Sequence, residues 1–120
     1  MSTSGQTLTT IDIGNFQLVS ISGQKYNDMN GNGVKDAGDT GLQNWTIFLD
    51  ANGNGSLDGG ESSATTDGSG NYTFSNLGPG IYKVREVQQS GWLMTTSNPA
   101  DITTTSGSNV SGIDFGNYQL

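Results

Sequence analysis

Apolar and polar residues alternate in short runs along the chain. In the run at 45–49, Trp45, Ile47 and Leu49 fall on one face. Asn71-Tyr72-Thr73-Phe74 follows the turn Asp67-Gly68-Ser69-Gly70, and the run from Ile81 to Val87 follows Gly78-Pro79-Gly80. Turn signals return every 8–12 residues or so, and no stretch keeps the 3.6-residue period of a helix. The pattern predicts an all-β chain, a β-sandwich of about seven strands.

Residues 3–18, TSGQTLTTIDIGNFQL, return at residues 105–120 as TSGSNVSGIDFGNYQL, at a constant offset of 102. Asp12, Gly14 and Asn15 match Asp114, Gly116 and Asn117. Two matching ends one domain apart predict a tandem array. Residues 1–18 are then the tail strand of a preceding repeat, and residues 19–120 form one full repeat. The plainer alternative is two edge strands of one domain with similar composition. A leftover strand resembling residues 113–120 can also compete for the same sheet edge, so self-association through residues 1–18 is a further expectation.

The chain has 120 residues and a mass of 12.5 kDa, the size of one domain. Leu, Ile, Val and Phe make up only a fifth of it, whereas Gly, Ser, Thr and Asn make up half. Its core is therefore thin. Eleven acidic residues against four basic ones leave a net charge of −7, which argues against nucleic acid and anionic membrane as partners. The absence of His and Cys removes most zinc sites, Ser-His-Asp and Cys-His catalysis, and disulfides. No apolar run approaches the ~18 residues of a membrane helix, so no membrane insertion is expected. Met1 leads into polar sequence without a signal-peptide core.

Seven of the eleven acidic residues lie between Asp28 and Asp67, and they are ordered. DMNGNGVKDAGD spans residues 28–39 and DANGNGSLDGGE spans residues 50–61. Both fit a twelve-residue calcium loop, with oxygen ligands at positions 1, 3, 5, 9 and 12, a backbone carbonyl at 7 and Gly at 6. The first set is Asp28, Asn30, Asn32, Val34, Asp36 and Asp39, with Gly33 at the turn. The second is Asp50, Asn52, Asn54, Ser56, Asp58 and Glu61, with Gly55 at the turn. Calcium takes six to eight hard oxygens at ~2.3–2.6 Å, and alternate residues of a tightly curled loop aim theirs inward. Two Ca2+ sites are expected. The competing reading is a pair of Asx-turns with carboxylates left in solvent. The first loop leads through Thr40-Gly41-Leu42-Gln43-Asn44 into strand-like WTIFL, so a helical calcium sensor is disfavoured.

The order of ISGQKYNDMNGNGVKDAGDTGLQNWTIFLD, TTDGSGNYTFSNLGPGIYKVREV and SGW resembles the calcium-binding B-type repeats of serine-aspartate-repeat surface proteins. These are relatives of the collagen-adhesin B-type (Cna B) domains. The resemblance covers residues 21–120 and implies a prealbumin-like or immunoglobulin-like β-sandwich. It also implies a stalk or spacer role in a secreted or cell-surface adhesin-like protein, beside neighbouring repeats and without enzymatic activity. Asp67, in the TTDGSGNY turn, is a further candidate oxygen for one of the sites.

The same resemblance implies an isopeptide bond between Lys25 and Asn117, assisted by Glu86. Alternation is consistent with it, because Lys25 shares a face with Ile21, Glu86 with Tyr82 and Val84, and Asn117 with Ile113 and Phe115. Otherwise Lys25 reaches solvent and Glu86 pairs with it or with Arg85. A carbohydrate-binding module is the runner-up function, with Trp92, Phe48 and Tyr72 as its aromatic platform.

Overall fold

The structure, a computed structural model, describes residues 13–120. The part of the predicted tail strand at residues 1–12 lies outside them. Nine strands are present among the described residues, two more than the alternation suggests. They are β1 (Val19–Asn27), β2 (Thr46–Leu49), β3 (Ser63–Thr65), β4 (Asn71–Leu77), β5 (Ile81–Tyr82), β6 (Val84–Glu86), β7 (Trp92–Met94), β8 (Ile102–Thr103) and β9 (Phe115–Gln119).

One sheet has the order β4-β1-β9-β7, a second β3-β2-β6, and a third pairs β5 with β8. Ile21 and Phe115 from the first sheet meet Ile47, Leu49 and Val84 from the second, with Tyr72 and Phe74 completing the buried cluster. These residues sit on alternate positions of their strands, so period-two patterning accounts for the core. The architecture is an all-β, multi-sheet sandwich.

Two details depart from the sequence reading. The run from Ile81 to Val87 is two strands, because the chain changes sheets at Lys83: Tyr82 pairs with Ile102, whereas Val84 pairs with Leu49. The Lys83 carbonyl accepts from the Asp50 amide at 2.8 Å, and its amine pairs with Asp101 at 2.7 Å. Strand β2 is also buried on both faces, with Phe48 at 1% exposure beside Ile47 at 0%.

The first and last strands are neighbours. β1 pairs with β9 in parallel, Lys25 opposite Phe115 and Asn27 opposite Asn117. Two glycine backbones close over this pair. The Gly70 carbonyl accepts from Lys25 N at 2.7 Å, and a Cβ at Gly70 would come within 2.2 Å of the Lys25 carbonyl. Gly41 is equally confined, with the Ser69 carbonyl 1.9 Å from where its Cβ would stand.

Phe115, fully buried where the sheets meet, carries much of this packing. Phe115→Ala is expected to cost about 3–5 kcal/mol in urea unfolding at fixed calcium, whereas the exposed Leu93→Ala should cost under about 1 kcal/mol. Equal losses would mean that the core lies elsewhere.

Candidate functional site

The two acidic loops hang from strand ends anchored across a sheet. Asp28 directly follows β1, and its amide donates to the Asn117 carbonyl at 2.7 Å. Asp50 directly follows β2 and is held through the Lys83 carbonyl. Both aspartates are buried, at 0% and 3% exposure, so each loop opens with a carboxylate withdrawn from water.

Inside the loops the same hydrogen bonds recur in the same phase. Asp28 Oδ2 accepts from Gly33 N, and Asp50 Oδ2 from Gly55 N, both at 2.8 Å. Asn30 and Asn52 accept from the amides two residues on, as do Asn32 and Asn54. The twelfth residue closes each ring. Asp39 accepts from the Met29 and Asp36 amides, and Glu61 from those of Ala51 and Asp58. Gly33 and Gly55 share a φ of +78°, a left-handed conformation that other residues reach only with strain. Val34 and Ser56 are exposed at the seventh position, with their amides bonded to Asn32 and Asn54.

Among the described residues no three acidic side chains form a ready metal cluster. Instead Asp36 Oδ2 accepts from the amide nitrogens of Asn30 at 3.0 Å and Asn32 at 2.8 Å, and Asp58 Oδ2 from those of Asn52 and Asn54. One atom does fit a cation. Asp28 Oδ1 is buried without a hydrogen-bond partner, an arrangement that costs free energy unless a positive ligand meets it. The donor set of carboxylates, amide oxygens and one main-chain carbonyl is all hard oxygen, as calcium requires.

Asp28 is also held by a residue that loop spacing could not reveal: Thr95 donates its hydroxyl to Asp28 Oδ2 at 2.6 Å. Burial pushes the Asp28 carboxyl up, but Thr95 and the amides of Gly33, Asn32 and Gly31 outweigh it and hold the group below the usual carboxylate range. Asp67 faces its own turn, where it accepts from Ser69 and Asn71 amides at 2.9 Å each.

The second constellation lies between the sheets. Lys25 and Asn117 are both at 0% exposure, and the Glu86 side chain is at 3%. Lys25 Nζ donates to Asn117 Oδ1, Asn117 Nδ2 donates to Glu86 Oε2 at 2.8 Å, and Lys25 Nζ lies 3.7 Å from Glu86 Oε1. All three side chains point inward, as strand parity predicts, and Arg85 donates to the Val84 and Pro99 carbonyls instead of pairing with Glu86. Trp45 closes the pocket, with the lysine nitrogen 4.3 Å from its ring centroid.

Burial drives both ionisable groups toward their neutral forms. It lowers the Lys25 pKa to about 8 despite the nearby Glu86, and it raises that of Glu86 despite Lys25 and Asn117. Glu86 Oε1 has no hydrogen-bond partner, which further favours the protonated acid. An amine able to shed its proton, a carboxyl able to hold one and a primary amide are thus in mutual contact.

The proposed sugar platform is not assembled. Phe48 and Tyr72 are buried at 1% and 3%, and Trp92 packs edge-on against Trp45 with ring centroids 5.6 Å apart.

The sequence model of the SdrD B-like domain matches residues 19–118. The fold is similar to that of a minor pilin from Streptococcus agalactiae, with a TM-score of 0.59 and 21% identity, covering 88% of this chain and 46% of that one. It is also similar to the major pilin subunit of Bacillus cereus, with a TM-score of 0.55 and 18% identity over 87% of this chain and 31% of that one. The Bacillus anthracis TIE protein has a TM-score of 0.55 and 19% identity, covering 87% of this chain and 17% of its own. At such identities the likeness concerns the fold alone, and the chain spans less than half the length of each of these structures. No curated protein matches the chain.

Removing the hydroxyl that holds Asp28 tests how the first loop is built. Thr95→Val should lower stability by about 1.5–3 kcal/mol, read by thermal unfolding in chelator, with the exposed Thr103→Val unchanged. An unaltered midpoint for Thr95→Val would mean that backbone amides alone position the carboxylate.

Proposed function

The chain belongs to the SdrD B-like domain family, and from that premise we propose that it is a stalk repeat of a secreted or cell-surface protein. In this reading two calcium loops and one internal covalent bond stiffen it. Its work is mechanical, with neighbouring repeats as its partners and no catalytic turnover. The observation that carries the reading is the parallel pairing of β1 with β9. In a tandem array, tension enters at the start of β1 and leaves at the end of β9. These adjacent parallel strands are then loaded in shear, and Lys25 and Asn117 sit between them.

The covalent step uses only groups in contact. Neutral Lys25 Nζ attacks Asn117 Cγ, forming the new C–N bond. The bond from Cγ to Nδ2 breaks, and the Nδ2 nitrogen departs as ammonia. Glu86 passes the proton lost by the amine to the leaving nitrogen and ends as it began. The product is a secondary amide joining the first and last strands, formed once per molecule.

Calcium is assigned to Asp28, Asn30, Asn32, Asp36 and Asp39 with the Val34 carbonyl, and to Asp50, Asn52, Asn54, Asp58 and Glu61 with the Ser56 carbonyl. The matching phase of the two loops and the unpartnered Asp28 oxygen support this assignment. When bound, the ion supplies two positive charges, which offset two of the three carboxylate charges in each loop. A site of ~10 μM affinity in ~1 mM calcium adds about 2.7 kcal/mol to stability. Two such sites are comparable with the marginal stability of a small domain.

Thermal unfolding of the chain in calcium against chelator should show a large upward shift with calcium and little with magnesium. No shift would remove calcium from the reading. Intact mass tests the bond separately. The chain should be lighter than its sequence by one ammonia, and Glu86→Ala and Asn117→Ala should each restore the full mass expected for the variant. A full-mass parent chain, folded and aged, would sink the covalent proposal and leave the calcium result standing.

A further inference from the structure

Just before β1, Gln17 is gripped by the far end of the chain. Its amide donates to Ser106 Oγ at 2.7 Å, and its carbonyl accepts from Gly107 N at 3.1 Å. Gly107 has a φ of +72°, and a Cβ there would come within 2.6 Å of the Gln17 side chain. The socket is a tight turn, in which Ser108 N donates to the Thr105 carbonyl at 2.9 Å.

The 102-residue offset makes Gln17 the counterpart of Gln119, the last residue of β9. Hydrogen bonding in β9 shows which backbone groups Gln119 leaves free. Thr95 N donates to the Gly116 carbonyl, and Leu120 N donates to the Gly91 carbonyl, so Gly116, Tyr118 and Leu120 address β7. By alternation Asn117 and Gln119 address the opposite edge. Asn117 does so, since its carbonyl takes the Asp28 amide. The β1 ladder ends at Asn27 opposite Asn117, so Gln119 extends beyond it. The backbone groups that Gln17 gives to the socket are thus the same two that Gln119 presents on an edge without a strand. On β9 itself the backbone groups of Tyr118 and Leu120 are directed to β7 and do not compete.

Both halves of the contact recur in the sequence. Thr105-Ser106-Gly107 repeats Thr3-Ser4-Gly5, as Gln119 repeats Gln17. The spacing is short as well: only Leu18 separates the β9 counterpart from Val19, where β1 begins.

We infer that the Ser106–Gly107 turn is an inter-repeat socket that grips the backbone of the preceding repeat's final strand at the position of Gln119. The joint between repeats is then a hydrogen-bonded junction, with one residue between strands. On the preceding repeat it lies where Asn27 and Met29, at the start of the first calcium-type loop, border Tyr118 and Gln119. The inference rests on the tandem-array reading.

Amide hydrogen exchange tests it in the 120-residue chain and in that chain extended after Leu120 by a second copy of residues 19–120. In the 120-residue chain Gln17 should be protected and Gln119 open, and Ser106→Ala should speed Gln17 exchange about tenfold while Lys25 stays protected. In the extended chain Gln119 should slow by about tenfold or more, and alanine at the second copy's counterpart of Ser106 should reverse this. Free exchange at Gln17, or no response to Ser106→Ala, overturns the socket. If the second copy folds but Gln119 remains open, the contact belongs to this chain alone and the joint is wrong. A second copy whose core amides never gain protection overturns the array reading and the joint together.

Discussion

The parallel register of β1 against β9 constrains the rest of the structure. It sets Lys25 beside Asn117 in a place that water does not reach, and a lone ammonium there would be costly. The molecule answers with Glu86 from the second sheet and the Trp45 ring, while the backbone of Gly70 closes on the Lys25 main chain. Without Glu86 the amine would lose its anionic partner, and a Cβ at Gly70 would press on the Lys25 carbonyl. Burial that penalises charge favours a neutral amine beside a protonated acid.

The first loop is tied to the same strands. Asn117 offers its side chain to Lys25 and Glu86 while its carbonyl holds the Asp28 amide. Thr95 reaches both Asp28 and the Gly116 carbonyl. The carboxylate that opens the loop and the amide between the strands are thus supported by one short stretch of β9 and the residue following β7. The second loop has a separate mooring, through Asp50 and the Lys83 carbonyl, at the point where the chain passes from one sheet to another.

A fold with so few large apolar residues has limited stability from burial alone. Polar loops and a buried polar triad place additional constraints on the first and last strands. In the proposed stalk role this distribution matters more than total stability, because resistance to forced unfolding depends on the barrier to separating the loaded strands.

The sequence by itself determined what is local. The β class follows from period-two alternation, and the two loops follow from oxygen-bearing residues at fixed spacings around a glycine. The inward aim of Lys25, Glu86 and Asn117 follows from strand parity. These depend on backbone geometry within a few residues. Tertiary structure decided what depends on partners distant along the chain: the break at Lys83, the burial of Phe48 on the second face of β2, and the support of Asp28 by Thr95, 67 positions away. It alone brought Glu86 from one sheet to an amide held in another. Periodicity states which way a side chain points, but only packing determines what it meets there.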